Sequence, residues 1–308
     1  MRYDEVVKFL RYIFDGRAFR PQASPSAISE HARATAAQVR GAERGPAILI
    51  HGMSTRSGTV YVGELLRQHP DLFAFPKHVW EFPLLQHSHA VERLQQNFLL
   101  THEQNFGKIA QGDLLPLVGA SLIAYLYRTV PAERRILLKT PSVERLDNFP
   151  ALYPHEHLLL LTRDGRDLVH STVRTWREIT FEMACLRWRR AARMVMAFDR
   201  RMANCTSGYM LGRFEDAVND PDQFVRQACI AFDLDVSRYP FKAVDELPVQ
   251  GSSSTREDGA VTWEPQEKRD DFRPIGHWQG WSRRQKFMFK RIAGRELVEL
   301  GYAANFNW

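Results

Sequence analysis

Ala47-Ile48-Leu49-Ile50-His51-Gly52-Met53-Ser54-Thr55-Arg56-Ser57-Gly58-Thr59-Val60-Tyr61 runs from four apolar residues into a loop of glycine and small hydroxyl residues. Ala47 to Ile50 reads as a short buried strand, His51 to Ser57 as a loop, and Gly58 to about Gln68 as a helix that His69-Pro70-Asp71 stops. A helix N-terminus exposes unpaired N–H groups and a partial positive charge, so such a strand–loop–helix cradles an anion. Gly58 lets the backbone come close to it. Ser57 and Thr59 add hydroxyl donors, and Arg56 adds a fixed cation. The loop is not a Walker A sequence: five residues separate Gly52 from Gly58, and no Lys precedes Thr59. That weighs against a phosphotransferase of the P-loop kind. Taken alone, the loop also fits a plain Ser/Gly helix cap.

Outward from this stretch the same grammar repeats. Arg135 to Lys139, His157 to Thr162 and Tyr209 to Phe214 read as further strands. Helical patterns fall at 91–104, 115–129, 167–176, 180–203, 221–232 and 283–300. Strands written as continuous apolar runs between helices imply an α/β fold whose sheet is mainly parallel and covered on both faces. Residues 3–14 carry Val6, Phe9, Leu10, Ile13 and Phe14 at helical spacing, and 15–45 read as a loosely structured extension. The expected organisation is therefore an N-terminal amphipathic helix and extension over 1–45, then one domain over 46–308. Residues 248–280 read as a long polar loop, a kind that is often functional.

The strand at 157–162 feeds Arg163-Asp164-Gly165-Arg166-Asp167-Leu168-Val169-His170-Ser171. Arg163 stands at the strand's C-terminal end, where ligands of open α/β sheets gather. Ser171 follows eight residues later on the next helix, so a guanidinium and a hydroxyl can converge on one phosphate. A simple Arg163–Asp167 ion pair is the competing reading.

Arg56-Ser57-Gly58-Thr59 resembles the 5′-phosphosulfate loop of the bacterial-type sulfotransferase family, and Arg163 with Ser171 resembles its 3′-phosphate motif. The two loops stand in the family's order, about a hundred residues apart, and the resemblance spans about 46–302. It implies a P-loop-like three-layer α/β/α fold. It also implies transfer of a sulfuryl group by in-line displacement from 3′-phosphoadenosine 5′-phosphosulfate (PAPS) to a hydroxyl or amine, leaving adenosine 3′,5′-bisphosphate (PAP) and using no metal. The cofactor contacts it implies are Thr55, Arg56, Ser57, Gly58, Thr59, Val60, Arg163, Ser171, Phe214 and Ser253. Val60 stands where the family usually has a second Thr, and Phe214 where it usually has Tyr. Tyr61 falls where cytosolic members place a Trp beside the adenine. Gly251 to Ser254 and Gly276-His277-Trp278 resemble the region that covers the cofactor.

Sulfuryl transfer, by analogy with phosphoryl transfer, needs positioning and charge neutralisation, for which Arg56 and Lys139 are the candidates. A hydroxyl acceptor also needs a base. Cytosolic members place a His after the Lys-Thr pair, where this chain has Pro141. The stretch Pro76 to Phe82 offers His78 and Glu81 instead, and the sequence does not choose between them.

The chain has 308 residues, a net charge of +6 and three cysteines at irregular positions. That charge suits an anionic small partner, and no basic-plus-aromatic motif supports nucleic acid. No apolar run reaches a membrane span, and neither a signal peptide nor a disulfide framework is apparent, so a cytoplasmic location is expected. The pairs His87/His89 and His155/His157 lack a third ligand nearby and read as surface residues, not metal sites. A small molecule or glycan is the expected acceptor, and Trp80, Trp176, Trp188, Trp263 and Trp281 are candidates to line its pocket. A homo-oligomer is left open. An α/β-hydrolase would need a Gly-x-Ser-x-Gly elbow, which the sequence lacks. A catalytically silent nucleotide-binding protein is the remaining alternative.

Overall fold

Five apolar runs form the central sheet of the computed structural model: β1 (Ile48–Gly52), β2 (Leu72–Ala74), β3 (Arg135–Thr140), β4 (His157–Thr162) and β5 (Tyr209–Arg213). The structure describes residues 28–308 except 42, 80, 102, 106–107, 206, 245–246, 248–253, 256–260 and 263–273. The strand order is β2-β3-β1-β4-β5 and every neighbouring pair is parallel. A two-residue ladder, β6 (Ser254–Thr255) with β7 (Val261–Thr262), is antiparallel and separate.

Alternate side chains of each strand point to opposite layers. Leu49, Ile136, Leu138, Leu158 and Leu160 enter one core, and Ile48, Ile50, Leu137, Leu159 and Leu161 enter the other. The helices are α1 (Glu30–Arg40), α2 (Thr59–Leu66), α3 (Ser88–Thr101), α4 (Leu114–Tyr127), α5 (Phe149–Leu152), α6 (Gly165–Thr175), α7 (Phe181–Met202), α8 (Phe214–Asn219), α9 (Pro221–Ala231) and α10 (Arg283–Glu299). The first core takes α4, α6, α7 and α10, and the second takes α2, α8 and α9. This is a three-layer α/β/α fold with a parallel sheet, as the strand pattern predicted.

Several boundaries differ from expectation. The extension expected over 15–45 contains α1, capped by Ser29 and packed on α4. Strand β2 was not expected, because Leu72 to Ala74 is too short to show a period. The strand expected to reach Phe214 ends at Arg213, and Phe214 opens α8. Helix α6 begins at Gly165, earlier than expected, because the Asp164 side chain caps it. The amphipathic stretch 3–14 and most of the 248–280 loop lie outside the described residues.

Candidate functional site

The strand order reverses around β1, and the loops after β1, β4 and β5 meet at the sheet's C-terminal edge, the crevice where open α/β sheets bind ligands. Loop 53–58 begins with Met53 N–H donating to Leu161 O of β4 at 3.2 Å. Ser57 turns back on Ser54, its N–H donating to Ser54 O at 3.2 Å and its hydroxyl donating to the same oxygen. Gly58 then takes a left-handed conformation (φ 91°), and α2 starts with no side-chain cap. Helices α1, α6, α7, α9 and α10 are each capped by a side chain, from Ser29, Asp164, Thr180, Asp220 and Ser282. The first N–H groups of α2 are therefore left for an anion, whereas α6 already has a carboxylate at its start.

The two predicted loops converge. Arg56 Nε donates to Ser171 Oγ at 2.8 Å, and Arg163 Nη1 donates to Arg56 O at 2.5 Å. Arg56 itself has a positive φ of 73°. Arg163 is 7% exposed, its Nη2 donates to Pro274 O at 2.7 Å, and its Nε has no partner among the described residues. The Arg163 guanidinium lies 4.4 Å from the Phe214 ring centroid. The same ring touches Gly58 so closely that a Cβ there would fall 2.1 Å from it. Tyr61 meets Phe214 edge-on at 6.1 Å and donates its hydroxyl to Ala217 O at 3.3 Å. Burial, with repulsion from Arg163 added, draws the Arg56 guanidinium down to about 10. The half-buried Arg56 and the buried Arg163 repel one another, and an anion placed between them would relieve that repulsion.

Beside the cradle, Lys139 stands on β3, buried, with Nζ 3.0 Å from Glu81 Oε1. Burial holds the ammonium below its ordinary value, and Glu81 pulls it the other way. The strand end fixes Glu81: Phe82 N–H donates to Lys139 O at 3.4 Å and Thr140 Oγ1 donates to Phe82 O at 2.9 Å. His78 lies on the exposed rim of the same segment. Phe75, Lys77 and His78 all have positive φ (54°, 55° and 59°), unusual backbone that is concentrated at functional sites.

Thr55 is exposed on the loop, Ser57 and Thr59 are buried, and Val60 is half-buried in the first turn of α2. Ser253 lies outside the described residues, as do Trp80 and Trp263. Trp188 and Trp281 are buried in the core; Trp188 Nε1 donates to Arg163 O at 3.2 Å from behind the second loop. His87 and His89 lie near each other with ring centroids 6.4 Å apart, and His157 Nδ1 accepts from Arg135 Nη2 at 3.0 Å. No group of three His, Cys, Asp or Glu side chains among the described residues could hold a metal. No described helix is long and apolar enough to cross a membrane.

Two further residues take part. Asp167, whose ion pair with Arg163 was the competing reading of the second loop, accepts instead from Gly276 N at 2.7 Å and Trp278 N at 3.3 Å. Glu215, the first residue after Phe214, accepts from Asp164 N at 2.9 Å, and burial raises its carboxyl.

A model described as "Sulfotransferase family" matches residues 46–238, well over half of the chain, which belongs to that family. Solved structures are also similar to the chain. The sulfotransferase domain of the Synechococcus PCC 7002 olefin synthase is 20% identical, with a TM-score of 0.50 over 83% of this chain and 96% of that one. Sulfotransferase STF1 from Mycobacterium tuberculosis H37Rv is 15% identical, with a TM-score of 0.43 over 79% and 86% of the two chains. A retinol dehydratase complexed with retinol and PAP is 13% identical, with a TM-score of 0.48 over 88% and 87%. Among curated protein sequences none matches.

Proposed function

We propose that the chain transfers a sulfuryl group from PAPS to a hydroxyl or amine of a small-molecule or glycan acceptor. The observation that carries this reading is the joining of Arg56, Ser171 and Arg163 at one point, since a nucleotide with separate 5′ and 3′ anionic groups needs two anion sites side by side. The 5′ side would be held by the uncapped start of α2 with Ser57, Gly58, Thr59 and Arg56. Arg163 and Ser171 would hold the 3′ phosphate, with the Phe214 and Tyr61 rings beside the base. Val60 contributes backbone only.

Chemistry on a hydroxyl acceptor forms an acceptor O–S bond, breaks the S–O bond to the 5′ phosphate and releases one proton. Both candidate bases are exposed, and Glu81 is favoured because its carboxylate pairs with Lys139 at the end of β3. Lys139 and Arg56 would neutralise charge on the transferring and leaving oxygens, the larger part of the work in a transfer of this kind.

Isothermal calorimetry with PAP tests the reading. Binding is expected in the wild-type chain and should be lost, or weakened at least about tenfold (about 1.4 kcal/mol), in Arg163→Ala and in Ser171→Ala. A wild-type chain that does not bind PAP removes the proposal. Binding without sulfate transfer to any of a panel of acceptors would instead favour a silent nucleotide-binding protein.

A further inference from the structure

We propose that Asp167 is a positioning residue of the nucleotide site, setting the Arg163 guanidinium through the main chain from Pro274 to Trp278. The inference rests on the sulfotransferase reading and adds a residue to its machinery.

Arg163 has a long side chain, and what selects its orientation is a pair of carbonyls, Arg56 O at 2.5 Å and Pro274 O at 2.7 Å. The first belongs to the cradle. The second belongs to an irregular stretch leading into the turn His277–Gly280, so something must hold that stretch against α6. Asp167 does so. It is 1% exposed, and its two carboxylate oxygens accept from Gly276 N (2.7 Å) and Trp278 N (3.3 Å). Gly276, the first of these donors, has a positive φ of 89°, a backbone turn open to glycine at no steric cost. Asp167 makes no hydrogen bond to Arg163 itself.

Neighbouring contacts follow the same line. One turn further along α6, His170 stacks on His277 with ring centroids 5.5 Å apart and planes 11° apart. The Arg166 guanidinium lies 3.9 Å from the Trp278 ring centroid and pairs with Asp164 at 2.6 Å. Three side chains of α6, Arg166, Asp167 and His170, thus contact one short segment, and the segment's first carbonyl orients Arg163. A buried carboxylate accepting two main-chain N–H groups is a strong, charge-assisted anchor. Without it the Pro274 carbonyl is released and Arg163 loses one of its two guides, while the α2 cradle keeps all its own contacts.

Calorimetry with two probes tests this: PAP, and adenosine 5′-phosphosulfate, which lacks the 3′ phosphate. Asp167→Ala is expected to weaken PAP about tenfold (about 1.4 kcal/mol) and to leave the affinity for adenosine 5′-phosphosulfate unchanged. The double variant Asp167→Ala/Arg163→Ala should bind PAP no more weakly than Arg163→Ala alone, because the two act as one unit. Asp167→Asn, which keeps the volume and one acceptor oxygen, provides a milder variant if the alanine fails to fold, with a smaller loss of the same kind. Equal weakening of both probes, or additive losses in the double variant, overturns the positioning role in favour of general loosening. Unchanged PAP binding in Asp167→Ala overturns it outright. A wild-type chain that binds neither probe is a different result, since it removes the sulfotransferase reading beneath it.

Discussion

Gly58 has neither the backbone angle nor the room for a side chain. Its φ is 91°, and a Cβ would lie 2.1 Å from the Phe214 ring. Gly58→Ala should therefore lower stability by at least about 1–2 kcal/mol from the left-handed backbone alone and push Phe214 off Arg163. Urea denaturation together with PAP calorimetry checks both effects, and an unchanged midpoint would mean that the turn relaxes. This residue was legible in the sequence, because a turn before an anion-binding helix asks for glycine. So were Arg56, Arg163 and Ser171 as residue types. Their mutual geometry was not legible: Arg56 and Ser171 are 115 positions apart, and nothing local says that one donates to the other. The partners of Asp167 were hidden for a related reason. A carboxylate four residues after an arginine suggests an ion pair, while its actual partners are two main-chain amides more than a hundred positions away. His78 and Glu81 are separated by three positions in the sequence, and only the closure of Phe82 onto β3 distinguishes them.

Among the elements, α1 shows how a helix escapes a hydrophobic pattern. Its buried face consists of Ala32, Ala36 and Arg40, so no stripe of large apolar residues marks it. The helix is held by an ion pair in the interior. Arg40 Nε lies 2.5 Å from Glu156 Oε1, with the two side chains 4% and 3% exposed. Arg40 also donates to Gly45 O at 2.7 Å and stacks on Tyr127 at 4.6 Å. Glu156 in turn accepts from Ala47 N at 2.5 Å, so the pair ties α1 to the entry of β1. Arg40→Ala leaves Glu156 charged and buried without its cation, and should cost about 3–5 kcal/mol, the range for breaking a buried pair. Adding Glu156→Gln should recover part of that loss, since the uncompensated charge is gone. Chemical denaturation of the single and double variants reads both, and a single-variant loss below about 1 kcal/mol would show that the pair does not anchor α1. By contrast, α4 reads Leu-Leu-Pro-Leu-Val-Gly-Ala-Ser-Leu-Ile-Ala-Tyr-Leu-Tyr and was plain from its apolar content. Likewise β1, β3 and β4 were plain as apolar runs, while three-residue β2 was too short to carry a signal.

For the molecule as a whole, the parallel sheet decides where chemistry and titration sit. All five strands point the same way, so Gly52, Thr140, Thr162 and Arg213 end at one edge, which is why distant loops form one site. That architecture was legible from buried strands alternating with helices; the order of strands was not, because apolar runs carry no pairing information. The sheet also holds a buried imidazole at one end and a half-buried one at the other. His51, 1% exposed beneath the cradle and bonded through Nδ1 to Ser142 O at 2.9 Å, is pushed by burial from 6.5 to about 4. His157, at the start of β4, is pushed to about 4 by burial with Arg135 adding to it. A histidine whose folded pKa is depressed takes up its proton first in the unfolded chain. Its contribution to stability is therefore present above 6.5, declines as pH falls, and is fully lost below about 4. The buried carboxyls of Glu64 and Glu215, raised by burial, act in the opposite direction over pH values above their ordinary range. Between those limits His51 should contribute a slope of about 1.4 kcal/mol per pH unit. Stability measured by urea at pH 7.5, 6.5, 5.5 and 4.5 should fall on the acid side in the wild-type chain. In His51→Asn, whose amide can still meet the Ser142 carbonyl, the fall should be shallower by about that slope. Identical slopes in the two proteins would mean that His51 is protonated equally in the folded and unfolded chains, and the acid sensitivity would then belong to other groups.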